Sequence, residues 1–225
     1  MNPLRLINNR AMAKSFIMPR PFERKLGDAF GYLPDDPDID LLTYLKSAHN
    51  TGRNFVILGV PEDIGPRANC GRPGAHEAWQ ACLKKLVNGQ SNQHFSGHNV
   101  LVLGQIDVAD LMAESLKANT DLTDLRQLVA LLDERVESVL AVAFSANLIP
   151  IVIGGGHNNA LPILRALAKN TSRTVGVANL DPHLDFRPVA DARHSGNSFS
   201  YAFSEGILEK YFVLGSHELY NSESM

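Results

Sequence analysis

The sequence predicts an α/β fold of three layers, α/β/α, built on a mainly parallel sheet. Two observations carry this expectation. Short, almost wholly apolar runs recur along the chain, the pattern of strands covered on both faces. Between them lie longer segments with apolar residues spaced by three and four, the period of a helix with one buried stripe. The composition permits a sizeable core: 225 residues, 44% hydrophobic and 20% charged, suit one large domain.

Residues 1–35 hold Pro19, Pro21, Gly27, Gly31 and Pro34 without a sustained period and read as an extended or irregular N-terminal arm. Residues 36–225 read as the α/β domain. Asp35, Asp36 and Asp38 mark a helix start, with acidic groups near its positive end, and the helix continues through Ile39 to Ala48. Asn54 to Gly59 is the first clear strand. Glu62 to Gly74 carries Gly65, Pro66, Gly71, Pro73 and Gly74 and is a loop with special backbone needs. A helix is expected over 75–87, a second strand over Asn99 to Gly104 and a short helix over Asp107 to Leu116. Thr120-Asp121 caps a long helix, Leu122 to Ser145, whose stripe includes Leu125, Leu128, Leu132, Val136, Val139 and Leu140. A strand over 149–153, a helix over Asn159 to Lys169 and strands over Thr174 to Leu180 and Tyr211 to Gly215 complete the alternation.

Composition also narrows function. Lys and Arg number 21 against 24 acidic residues, a formal charge of -3, and no basic run matches a phosphate backbone, so no nucleic-acid partner is expected. No stretch approaches the ~20 apolar residues that cross a bilayer. Arg5, Arg10, Lys14 and Arg20 lie in an opening segment free of acidic residues, but it lacks the apolar run and cleavage site of a secretory signal. A cytoplasmic protein with no membrane partner is expected. Cys70 and Cys82 have neither a zinc-ribbon spacing nor a disulfide framework.

Chemistry concentrates after two strands, where open α/β sheets bind ligands. Residues 151–160 read Ile-Val-Ile-Gly-Gly-Gly-His-Asn-Asn-Ala. The glycines allow a close turn, leave space for a bound group and present His157. A phosphate cradle would also use glycines, but the Lys-Ser/Thr of a P-loop is absent. Residues 175–185 read Val-Gly-Val-Ala-Asn-Leu-Asp-Pro-His-Leu-Asp. Asp181, His183 and Asp185 stand at positions n, n+2 and n+4, which face one side in an extended chain. If the two strands are adjacent, His157 comes within reach. Imidazoles mixed with carboxylates suit manganese, zinc or iron rather than calcium or magnesium. The competing reading makes the carboxylates helix caps and His183 a solvated loop residue.

These motifs resemble those of the ureohydrolase superfamily: arginase, agmatinase, formimidoylglutamase and relatives. Gly-Gly-Gly-His at 154–157 is similar to the family's first metal motif and Asp-Pro-His-Leu-Asp at 181–185 to its second. The resemblance implies an arginase-like fold and two Mn2+ per complete site, with one or none in this chain. It assigns His157, Asp181, His183 and Asp185 as metal ligands, Asp181 bridging. Gly59 to Gly74 resembles an entrance loop in which Asn69 shapes the pocket, and His194 to Asn197 a substrate loop in which Ser195 and Asn197 meet an amino-acid head group. Arg72 and Arg187 are candidates for a substrate carboxylate, with salt bridges bracing the surface or a loop as the alternative.

Phe199, Tyr211 to Gly215, Glu218 and Asn221 look like the formimidoylglutamase branch, which hydrolyses N-formimidoyl-L-glutamate to L-glutamate and formamide in histidine breakdown. The implied mechanism is attack by a metal-bridging hydroxide, with Asp185 and His183 as catalytic residues and Asp185 holding the nucleophile or moving its proton. A third metal motif, Ser-x-Asp-x-Asp, has no counterpart in residues 1–225. The C-terminal part of the family fold is therefore expected to be absent and residues 36–225 to form a partial domain. An arginase- or agmatinase-like hydrolase of a guanidino compound and a noncatalytic binding protein are the alternatives. A homo-oligomer is compatible with the resemblance.

Overall fold

In the computed structural model, residues 4–223 and 225 are described. In chain order the elements are β1 (Leu6–Ile7), α1 (Arg10–Ser15), α2 (Leu26–Ala29), β2 (Gly31–Tyr32), α3 (Leu41–Asn50), β3 (Phe55–Val60), α4 (Ile64–Ala68), α5 (Ala78–Leu86) and β4 (Val100–Ile106). They continue as α6 (Ala109–Glu114), α7 (Leu122–Ser145), β5 (Ile149–Gly154), α8 (Ala160–Thr171), β6 (Val175–Leu180), α9 (Ser198–Ser204) and β7 (Leu208–Leu214).

The main sheet runs β1-β4-β3-β5, with β2 also on β4, and every pairing except that of β1 is parallel. Alternation along its strands creates the three layers. Val56, Leu58 and Val60 of β3 and Leu101 and Leu103 of β4 pack with α3, α4 and α7. Ile57, Val100 and Val102 point the other way, onto Ala13, Leu26, Trp79 and Leu83. The long helix starts as its sequence dictates: Asp121 and Asp124 form a reciprocal capping box.

Four local expectations need correction, the first being the 62–74 loop, which carries helix α4 (Ile64–Ala68). The segment expected to be an irregular arm contributes β1, α1, α2 and β2 over its described residues, and Ala13, Leu26 and Phe30 are buried in the second core. Met1, Asn2 and Pro3 of that arm lie outside the described residues. Helix α3 begins at Leu41 rather than at the earlier acidic cluster, because Asp40 is the residue whose side chain accepts from Thr43 N–H. Finally, β5 and β6 are not neighbours: β6 pairs with β7 in a separate two-stranded parallel sheet. Helix α8 bridges the two sheets, placing Ala166 in the first core and Leu161, Leu164 and Ala168 against Val175, Phe199, Ala202 and Leu208.

This second sheet is covered on one face only. Ala178 pairs with Phe212 and Leu180 with Leu214, and all are exposed, Leu180 to 83%. Among the described residues no helix is long and apolar enough to cross a membrane.

Candidate metal centre

The C-terminal ends of β5 and β6 meet although the strands do not. Asp181 follows β6 directly, and its N–H donates to Leu214 O of β7 at 3.1 Å. The chain then leaves the sheet. Tyr211 Oη donates to Leu184 O at 2.7 Å and Leu184 N–H to Asn221 Oδ1 at 2.8 Å, so β7 and the segment after it hold the 181–185 turn. Asp185 itself has a φ of 47°, the left-handed region, where a non-glycine residue is uncommon. That bend, not strand alternation, returns its carboxylate toward β5. The expected n, n+2, n+4 convergence in extended chain is thus replaced by a turn.

His157 stands opposite. Its Nδ1 is 2.5 Å from Asp185 Oδ2 and 3.5 Å from Asp181 Oδ2, and Phe199 packs edge-on to the imidazole at 5.4 Å and 85°. The hydrogen bond to Asp185 raises the imidazole pKa above the usual histidine range, with burial opposing and the charges of Asp185 and Asp181 assisting. One ligand-competent atom from each of His157, Asp181 and Asp185 lies within 4.8 Å of the others. A nitrogen and two carboxylate oxygens this close form a donor set that suits a borderline divalent cation. The residues present fit a metal ion.

His183 is outside that group. Its Nδ1 lies 2.9 Å from Asp181 Oδ1, which also accepts the His183 N–H at 2.8 Å, and its ring tilts against Tyr220 at 5.2 Å. The side chain is half exposed.

A cleft of about 350 Å³ opens over these residues, lined on its other sides by Asn69, Arg187, Ser195, Tyr220 and Asn221. Of the residues the sequence nominated for substrate, Asn69, Arg187 and Ser195 are therefore placed at the cleft. Arg72 is exposed and does not line it. Asn197 does not line it either: fully buried, its Oδ1 accepts from Arg193 Nη1 at 2.6 Å and from His194 N–H at 3.1 Å. Its carboxamide braces the loop from inside instead of reaching the cleft.

The glycine run lines the cleft with Gly155 and Gly156. A Cβ on Gly155 would stand 1.8 Å from Glu62 O, and one on Gly156 2.1 Å from Asn158 Oδ1. The Cβ side of these two glycines is filled by the protein's own chain, while their open side lines the cleft.

Behind the cleft lies a buried polar network that periodicity did not single out. Arg193 Nε donates to Asp133 Oδ2 at 2.7 Å, and Nη2 donates to Asn158 O at 3.0 Å, immediately behind His157. Burial pushes the Asp133 carboxyl up to about 6 against the opposing pull of Arg193. His194 Nδ1 accepts from Gly196 N–H at 3.0 Å, and burial, reinforced by Arg126, lowers its imidazole to about 4. One signal was available: Asp133 is an acidic residue inside the apolar stripe of α7, between Val129 and Val136.

Comparison with known proteins identifies the family. The arginase family model matches residues 53–225. Formimidoylglutamase from Geobacillus sp. (strain WCH70) is 31% identical over 175 residues, covering 76% of this chain and 48% of its own length. Formimidoylglutamase from Streptococcus gordonii is 32% identical over 178 residues, covering 76% and 49%. The chain thus spans about half the length of these curated relatives. Among solved structures, a variant of Trypanosoma cruzi formiminoglutamase with Mn2+ superposes with a TM-score of 0.60 at 25% identity, over 90% of this chain and 60% of that one. Bacillus subtilis formimidoylglutamase shares the fold at a TM-score of 0.64 and 20% identity, over 92% and 57%. With the family model spanning residues 53–225 and the fold aligned over most of the chain, this chain belongs to the arginase family of ureohydrolases.

Proposed function

We propose that the chain carries the histidine and carboxylate side of a manganese-dependent hydrolase that cleaves the C–N bond of a linear amidine, N-formimidoyl-L-glutamate, to L-glutamate and formamide. The observation that carries this reading is the convergence of His157, Asp181 and Asp185 on the floor of a cleft whose wall includes Arg187. The charges match the two ends of the substrate: an acidic floor for the amidine and metal, a guanidinium for a carboxylate.

His157, Asp181 and Asp185 would hold the cation, and His183, in contact with Asp181, would be the nearest further donor. The resemblance implies two Mn2+ per complete site. A divalent ion, when bound, polarises water and the reacting centre. Asp185 takes the proton of the attacking water; the 2.5 Å contact of its Oδ2 with His157 Nδ1 belongs to the metal-free protein and would give way to the cation. Arg187 pairs with a substrate carboxylate, while Asn69 and Ser195 orient the head group. Water adds across the amidine C=N bond, Asp185 passes the proton it took to the glutamate nitrogen, and the C–N bond to that nitrogen breaks, releasing formamide and L-glutamate.

A second reading, metal binding without turnover, is favoured by the position of His183 outside the converging group. One experiment separates the two. Manganese binding to the 225-residue protein is measured by calorimetry, alongside formamide release from N-formimidoyl-L-glutamate and urea release from arginine and agmatine. Manganese-dependent formamide supports the proposed reaction, and urea redirects it to a guanidino substrate. Tight binding with neither product sustains the second reading, and no binding removes both.

A further inference from the structure

Glu62 follows β3 and is fully buried, yet it touches neither the cleft nor the converging donor atoms. Its carboxylate ties together two loops. Oε2 accepts Gly65 N–H at 3.0 Å. Oε1 accepts Gly156 N–H at 2.7 Å, Asn159 Nδ2 at 2.9 Å and Asn158 Nδ2 at 3.2 Å. These donors surround His157 on both sides in sequence. Gly155 N–H adds a bond to Val60 O at 2.8 Å, so the end of β5 is stitched to the neighbouring strand just before Glu62 takes over.

Glu62 is a costly residue to bury, and the surrounding chain is shaped to accept it. Gly155 has no room for a side chain because Glu62 O would lie 1.8 Å from it, with Glu62 Oε1 at 2.9 Å. The carboxamide oxygens of Asn158 and Asn159 are left without partners while both amide groups turn toward Glu62. A purely packing role would be served by an apolar side chain with no such concessions. What these bonds do fix is the backbone on which His157 is mounted.

We propose that Glu62 is a positioning residue of the metal centre. By fixing Gly156 N–H and the two flanking asparagines, it sets the direction in which His157 leaves β5 and so the approach of Nδ1 to Asp181 and Asp185. This inference rests on the metal-binding reading given above. It adds a carboxylate that supports the site from the opposite side of the glycine turn.

The test uses the 225-residue protein with Mn2+ as the probe, reading affinity by calorimetry, metal-free melting, and amide hydrogen exchange over 154–159. Glu62→Ala is expected to bind Mn2+ about tenfold or more weakly, the range seen when supports of metal ligands are removed. Faster exchange over 154–159 should accompany the loss. Glu62→Gln keeps an acceptor oxygen for Gly156 and both asparagines and loses only the Gly65 bond, so it should bind within about threefold of wild type. Glu62→Asp is one methylene too short to reach both loops and should resemble alanine. If Glu62→Ala melts lower but binds Mn2+ like wild type, the inference is overturned. Should alanine not fold, the aspartate and glutamine variants decide, and equal wild-type affinity in both overturns it too. His157→Ala is the control: wild-type affinity there removes the metal reading itself, whatever Glu62 does.

Discussion

At the scale of single residues, the groups that matter most for stability are charged and hidden. Asp133 and Arg193 form an ion pair with both side chains almost wholly buried, and Arg193 also serves Asn158 O and Asn197. Removing one partner strands the other's charge, so Asp133→Ala is expected to destabilise the fold by roughly 3–5 kcal/mol. Urea unfolding checks it, and a loss below ~1 kcal/mol would show that water reaches Arg193. His194 sets a pH dependence. Its folded value, lowered to about 4 from 6.5 by burial, means the unfolded chain binds the extra proton first. Stability from this residue is therefore present above pH 6.5 and is lost as pH falls toward 4, on the order of 3 kcal/mol in all. His194→Gln should flatten that part of the stability curve, measured by urea midpoints between pH 7 and 4.5. An unchanged slope would show that the imidazole titrates freely in the fold.

At the scale of elements, the junction from β5 into α8 is the critical piece. The glycines there exist because Glu62 and Asn158 occupy the volume where side chains would project. Gly155→Ala would push a methyl into Glu62 O, a backbone atom that cannot swing aside, and a loss of about 1–3 kcal/mol is expected from thermal melting. Its Mn2+ affinity should fall as well, since the displaced loop carries His157. The strand–loop–helix pattern around these glycines was readable from apolar runs and the abrupt Gly-Gly-Gly. The role of Gly155 was not, because the atoms beside it come from Glu62, more than ninety positions away. The same limit applies to Asp181, His183 and Asp185. Their spacing pointed to convergence by alternation, but the strand stops at Leu180 and a left-handed Asp185 makes the turn instead.

At the scale of the whole molecule, a mainly parallel sheet and a two-stranded parallel sheet share helix α8, and loops from both line the cleft. Ala178, Leu180, Phe212 and Leu214 leave an apolar stripe on the outer face of the smaller sheet. Exposed apolar strands of this kind promote association. The 225-residue protein is expected to self-associate with rising concentration in sedimentation experiments and to bind a hydrophobic dye. Phe212→Lys should weaken both, and a monomeric, dye-silent wild type would show the stripe to be covered in solution.

The sequence by itself determined the α/β class, the order of the principal strands and helices, and the identity of the metal-competent residues. Those features are local: apolar period, turn chemistry and donor type are written in consecutive residues. Tertiary structure alone decided that β5 and β6 lie in different sheets, that His157 meets Asp185 while His183 stays with Asp181, and that Asn197 braces a loop rather than lining the cleft. It also brought Glu62, Asp133 and Arg193 behind the site. The reason is physical. Buried polar groups must find partners wherever the fold supplies them, and those partners are set by packing across the chain rather than by spacing along it.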